Sequence, residues 1–500
     1  MSDNLQTTQH NTFSNLPHEI LRLICSQLCT HCFGEPLLWT GREDDNLKQY
    51  ELQLTLLDLC TTSKLLRSIA QPILHHRIIV PAHCPFTRLV RHLDARPDLA
   101  LSVKQFSQND GGDSETFHDL VEFQALTDAA RRLQMDSTDD PEFTQAYADA
   151  ASPSQFCIDL LIALCPNLTT MSLCVSDSGY YGFTTFDFLA NRFEKLGDAS
   201  LPQLRHLRFI NATARGFVIT NQGVGMMIYA APNLEQLIFR GTPGVVDRAL
   251  RPCDIAMLFP KLPLLRALEF QDCAFPNDLP STFIQRMIKY SPRLEYLRYR
   301  AQHAHFGEYV REHLTSSQVL EWLQPRQDVF KYLDINLSDL FRDVHASQQT
   351  HLVDKELLAN LTHLETLRLD ETLFCTHFDD TSNSSQTCLT DVVPKSIKNL
   401  VVGIFDESHV WKDLAGLADM AADNGFPNLK YVKVYWNIPK HNQEAREQIW
   451  DNFDNEAKRN EPQLRQRFAE SAMTFVVADR SYSVAETGGC MLGAEFLNFF

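Results

Sequence analysis

The chain is short of the features that announce chemistry or membrane insertion. Its 500 residues contain no run of about eighteen apolar side chains, so no membrane-spanning helix is expected. The first residues, MSDNLQTTQHNTF, lack a basic patch followed by an apolar core, so no secretory signal is expected. Positive charge is in deficit: 45 Lys and Arg face 63 Asp and Glu, a formal net charge of −18. That balance argues against a long-range pull toward nucleic acid or an anionic bilayer. No GxGxxG follows a strand pattern, and no GxxxxGK[ST], HExxH or GxSxG occurs. GVGMM at Gly223 is too short to cradle a phosphate and sits in a helical pattern. No catalytic residue and no cofactor is expected.

What is present is ordinary globular composition, 44% hydrophobic and 22% charged, in a chain too long for one compact core. The thirteen cysteines are scattered and odd in number. Without a signal segment they read as reduced thiols of a cytoplasmic or nuclear protein. The densest group is Cys25, Cys29, His31 and Cys32, in NLPHEILRLICSQLCTHCFG. A structural zinc wants four N or S ligands, usually from two separated pairs, and no second CxxC closes a tetrahedron. The expectation is no metal, with Cys25 packing as a small hydrophobe and Cys29 to Cys32 opening a loop. His75 and His76, beside Arg77, are expected to be solvated.

Pro17 suits the first turn of a helix, and Glu19 suits the positive end of its dipole. Ile20, Leu23, Ile24, Gln27 and Leu28 follow at helical spacing and make one largely apolar stripe. A second helical stretch is expected over Leu52–Leu74, LQLTLLDLCTTSKLLRSIAQPIL. LPHEILRLICSQL resembles the start of an F-box, and LLDLCTTSKLLRSIAQPIL resembles its second half. The F-box is a three-helix module that binds a Skp-type adaptor within a cullin ubiquitin ligase. The resemblance implies that Leu16, Pro17, Ile20, Ile24, Leu28 and Leu57 dock the adaptor. It covers about an eighth of the chain, and the stretch between its two halves, from Cys29 to Glu51, is longer than the family usually has.

Behind it, a phrase recurs: a turn-former, then an apolar-x-x-apolar-x-apolar core. It reads PNLTTMSL at 166, PQLRHLRF at 202, PNLEQLIF at 232, PLLRALEF at 263 and PRLEYLRY at 292. It continues as DVFKYLDI at 328, LTHLETLRL at 361, KSIKNLVV at 395 and PNLKYVKV at 427. The first core residues are Leu168, Leu204, Leu234, Leu265, Leu294, Phe330, Leu364, Ile397 and Leu429, spaced by 36, 30, 31, 29, 36, 34, 33 and 32. Each phrase is a short strand, with residues two apart such as Leu207 and Phe209 on one face. Helical runs such as SQFCIDLLIALC precede most of them, and proline turns helix into strand. One helix and one strand per repeat make a stacked β-α solenoid, since no unit buries its own core. The array resembles the leucine-rich repeat family in an irregular form. The Asn or Cys that follows the strand core in that family stands at Cys273 and Asn437 but mostly not elsewhere.

The expected fold is therefore α/β: an N-terminal helical F-box module, then a leucine-rich-repeat-like solenoid with a parallel concave sheet. The expected boundaries are a disordered 1–15, an F-box-like domain at 16–80 with an insertion at about 29–51, a solenoid at 81–480, and a tail at 481–500. Residues 86–106 read as an opening helix-strand unit, MTFVVA as a final strand. The insertion at 107–152 holds eleven acids, with Arg131 and Arg132 its only Lys or Arg residues. It reads as a solvated loop flanking a helix, with a docking surface for a basic partner as the sharper alternative. The family resemblances imply a non-enzymatic substrate receptor of a Skp–cullin–F-box ubiquitin ligase, adaptor at one end and a target protein on the repeats. The alternative is a repeat scaffold without ligase association, and a third is an enzyme with a site between repeats.

Overall fold

Every one of the nine phrases becomes a strand, and all the strands join one sheet. The computed structural model describes residues 16–32, 43–80, 86–108, 120–133, 135, 153–175, 189, 200–211, 222–241, 262–273, 279–301, 314–337, 352–374, 389–404, 409–436 and 443–478. Three helices come first: α1 (His18–Ser26), α2 (Glu43–Thr62) and α3 (Lys64–Leu74). Then follow β1 (Arg77–Val80), α4 (Phe86–Ala95), α5 (Pro97–Ala100), β2 (Gln105–Gln108), α6 (Leu120–Arg132) and α7 (Pro153–Leu164). The phrases give β3 (Thr170–Val175), β4 (His206–Asn211), β5 (Gln236–Arg240), β6 (Ala267–Cys273) and β7 (Tyr296–Ala301). They go on as β8 (Tyr332–Asn336), β9 (Thr366–Asp370), β10 (Asn399–Ile404) and β11 (Tyr431–Trp436), and β12 (Thr474–Val477) closes the series. The helices that intervene after β4 are α8 (Gln222–Tyr229), α9 (Leu279–Tyr290), α10 (Ser316–Leu323), α11 (Lys355–Ala359), α12 (Leu389–Val392), α13 (His409–Ala422) and α14 (Gln443–Glu470).

Strand order in the sheet is chain order, β1 to β12, and all pairs are parallel. Register then stacks equivalent residues. The second core position runs laterally as Ile78, Phe106, Met171, Leu207, Leu237, Leu268, Leu297, Leu333, Leu367, Leu400, Val432 and Phe475, all buried. The third carries stacked rings, Phe209 on Phe239 at 5.6 Å and Phe239 on Phe270 at 5.5 Å between centroids. The nine first core residues are also buried. The helices pack onto this face through Leu160, Met227, Ile288, Leu320, Leu417 and their neighbours, giving one continuous core. Each such side chain contributes about 1.5–3 kcal/mol on burial, and neighbouring repeats supply the burial.

Local chemistry sets the punctuation. Ser63 splits the expected Leu52–Leu74 helix: its Oγ accepts from Leu66 N at 3.1 Å, capping α3 and separating it from α2. Thr315 and Gln318 form a reciprocal capping box at α10. In the phrases that read PN, the asparagine clamps the preceding repeat: Asn167, Asn233 and Asn428 donate to Leu101 O, Pro202 O and Lys395 O. Turn closure after the strands uses mixed groups. The Cys273 thiol donates to Gln271 O at 3.2 Å, and Asp370 Oδ2 accepts from Leu337 N at 2.6 Å.

Two boundaries shift. β1 lies inside the stretch expected to be helical module, so the sheet starts at Arg77 rather than 81. The acidic insertion is partly structural, because α6 buries Leu126, Ala129 and Ala130 in the main core. The 86–106 unit and the final strand take the expected form. Residues 1–15, 33–42 within the expected 29–51 insertion, most of 107–152, Asn437 and the 481–500 tail lie outside the described residues, and α2 takes up the end of that insertion from Glu43.

Candidate functional site

The N-terminal helices make a small core of their own. Leu21, Cys25 and Cys29, Leu56 and Cys60, and Ile69, Ala70 and Ile73 are its buried members. This corrects the expected stripe on α1. Leu21 and Cys25 take the inside, and the core is too narrow to accept the rest of the apolar arc. Ile20 and Leu23 therefore face outward, 42% and 57% exposed. Leu54 and Leu57, three apart on α2, and Leu65 at the start of α3 do the same. Five of the nine large exposed hydrophobics among the described residues sit on this one unit.

The six expected docking residues divide. Pro17, Ile20 and Leu57 are exposed, Ile24 is half-buried, and Leu16 and Leu28 pack against the unit's own core. The expected docking set left out Leu54, Leu65 and Leu23, the last of which stands on the expected α1 stripe. Their spacing carried the signal: Leu23 is one turn from Ile20, and Leu54 is one turn from Leu57.

The sheet face turned away from the helices has a different character. Register aligns Ser172, Arg208, Ile238, Glu269, Arg298, Asp334, Arg368, Val401 and Lys433 across β3 to β11. Neighbouring strands lie about 4.8 Å apart, so alternating signs at Glu269, Arg298, Asp334 and Arg368 pair directly. Arg298 Nε reaches Asp334 Oδ2 at 2.7 Å, Arg298 Nη1 reaches Glu269 Oε2 at 3.5 Å, and Arg300 Nη2 reaches Asp334 Oδ2 at 3.2 Å. Tyr435 leans over Gly403, where a Cβ would collide with its ring, and sets that ring 4.1 Å from the Arg368 guanidinium. Glu269 and Asp334 are fully buried. Burial pushes the Glu269 carboxyl above its ordinary range, while Arg298, Gln271 and Gln236 pull it back. The row from Glu269 to Arg368 is an internal ionic network. Around it, the strand starts carry a solvated ladder, Arg205 with Glu235, Arg266 and Lys331 with Glu295, and Lys398 with Glu365.

Between the two regions, at the start of β1, His76 lies against Cys29, His31 and Cys32, and these four could hold a metal ion. His75 and His76 are half-buried rather than solvated. Burial, with His31 and Lys104 nearby, lowers His76 to about 4, and burial with Cys29 beside it pushes the Cys32 thiol to about 12. The described cysteines are all free thiols, and no described helix is long and apolar enough to cross a membrane. No protein-family model and no curated protein matches the chain.

Proposed function

We propose that the chain is the substrate-recognition subunit of a Skp–cullin–F-box type ubiquitin ligase. In this reading the α1–α3 unit docks a Skp-type adaptor, and the repeat array holds a target protein. The observation that carries it is the concentration of outward apolar side chains on α1, α2 and α3. A lone exposed leucine needs no explanation, whereas several on one small unit mark a surface that another protein covers. The unit is also the one whose sequence resembles an F-box, so the resemblance and the exposed surface point to the same occupant. Ile20, Leu23, Leu54, Leu57 and Leu65 then supply most of the contact, and Leu16 and Leu28 support it from behind.

The array performs no bond chemistry in this scheme. It raises the effective concentration of a target lysine beside a ubiquitin-conjugating enzyme carried by the cullin. Because the central row of the sheet is buried, target contact falls to the rims and loops around the strands.

The test is reconstitution with a purified Skp-type adaptor. The wild type forms an equimolar complex on gel filtration. Ile20→Asp combined with Leu57→Asp abolishes it while circular dichroism stays unchanged, since both positions are already solvent-exposed. Leu101→Asp, at a leucine 51% exposed outside the unit, retains it. The reading fails if the wild type never associates with the adaptor, or if the folded double variant binds as well as the wild type.

A further inference from the structure

Cys29, His31 and Cys32 follow the end of α1, and His76 is the last residue before β1. The fold brings one donor atom from each within 4.8 Å of all the others. Cys32 Sγ lies 3.3 Å and Cys29 Sγ 3.8 Å from the same atom, His76 Nδ1. Cys32 Sγ is 3.8 Å from His31 Nδ1, and the two imidazoles meet edge to face, with centroids 5.2 Å apart and planes at 79°.

Hydrogen bonding does not account for this convergence. A neutral imidazole nitrogen accepts one proton or donates one, yet two sulfurs address Nδ1 of His76. A single cation at the centre satisfies all four donors. With zinc–sulfur bonds of about 2.3 Å and zinc–nitrogen bonds of about 2.0–2.1 Å, a regular tetrahedron has sulfur–nitrogen edges of about 3.6 Å. The three sulfur–nitrogen separations, 3.3 to 3.8 Å, bracket that value. No donor separation exceeds 4.8 Å, so closing onto tetrahedral edges of about 3.3–3.8 Å asks for a contraction of no more than about 1.5 Å.

We propose that Cys29, His31, Cys32 and His76 form a structural zinc site that fastens the N-terminal helical unit to the first strand of the sheet. The donor set is two sulfurs and two nitrogens, a combination that selects zinc among common divalent ions. Two thiolates neutralise the ion, so the half-buried site carries no net charge. Arg22 and Lys104 are the neighbouring cations.

The backbone around the donors is already fixed to the sheet. The His76 carbonyl accepts from Lys104 N at 2.9 Å and Gln105 N at 2.8 Å, which starts the β1–β2 register. Thr30 Oγ1 accepts from Arg77 Nη1 at 3.1 Å. A metal here closes the loop from Cys32 to His76, which contains α2 and α3, and so removes conformational freedom from the unfolded chain. It also holds the outward apolar surface at a set angle to the array. The proposal does not depend on what covers that surface.

Full-length protein purified without chelator is assayed for zinc by inductively coupled plasma mass spectrometry. It is then stripped and titrated with cobalt(II) under reducing conditions. The expected result is one zinc per chain, and a cobalt complex with tetrahedral visible bands and a near-ultraviolet thiolate band, both lost on adding zinc. Cys32→Ser and His76→Gln lose the stoichiometric metal, while His75→Gln, at the adjacent histidine outside the cluster, keeps it. The proposal is overturned if the wild type holds no stoichiometric zinc and shows no thiolate–cobalt band. It is equally overturned if His76→Gln binds cobalt like the wild type, or if mass spectrometry finds Cys29 and Cys32 joined as a disulfide.

Discussion

The three-helix unit and the strand array dispose of apolar surface in opposite ways. In the array, each inner strand faces a helix layer and two neighbouring strands, so its alternate residues are buried by repetition. Charged side chains on the other sheet face are buried too, and register sets Glu269, Arg298 and Asp334 beside partners of opposite sign. The unit has only three helices and a core of eight buried residues. Its helices carry more apolar surface than they can cover, and the excess faces outward. The array saturates its apolar surface, whereas the unit keeps a surplus.

The sharpest way to break this contrast is to cut into both parts. Phe239→Ala removes a ring stacked between Phe209 and Phe270 at full burial. The expected loss is about 3–5 kcal/mol, read as a fall in the urea midpoint of the array's transition. A loss under about 1 kcal/mol, the range of ordinary surface changes, would mean that the rings are not close-packed. The same urea melt reports whether the effect spreads along the array, as nearest-neighbour coupling in a solenoid requires.

Asp334→Ala tests the charged face at a similar cost. It strips Arg298 and Arg300 of the carboxylate they share. Breaking a buried pair from one side costs about 3–5 kcal/mol, and the space left by the small side chain adds little. Glu235→Ala, which breaks the solvated pair with Arg205, is the matched comparison and costs under about 1 kcal/mol. Equal losses at the two sites would show that the buried row is solvated in solution.

The array was legible in the sequence, and the reason is physical. Each repeat repeats its burial, so a nine-fold phrase betrays a strand and a core position at once, as at Leu204, Leu207 and Phe209. β1 escaped because RIIV follows two histidines rather than a turn-former, and it has no phrase around it. By alternation Arg298 and Asp334 fall on the strand face opposite Leu297 and Leu333, and the sequence does not announce that register will pair them. In the helical unit, spacing located the apolar residues but not which side they turn to. Leu21 and Cys25 won the inside only through packing against α3 and α2. Three members of the Cys/His cluster were adjacent in the chain, whereas His76 joins them only because β1 begins where α1's loop ends.

The smallest expected effect is the most informative about the unit. Leu23→Ser with Leu57→Ser removes two outward side chains that touch little of the unit's own core. Free energy of unfolding should change by no more than about 0.5 kcal/mol at each site, the usual range for surface positions. Solubility at high concentration should rise, because exposed apolar area falls. Leu21→Ala, two positions from Leu23 but buried, is the counterpart and costs about 2–5 kcal/mol. If the serine pair were as costly as Leu21→Ala, those leucines would belong to the unit's internal packing, and its outward face would no longer need a partner to explain it.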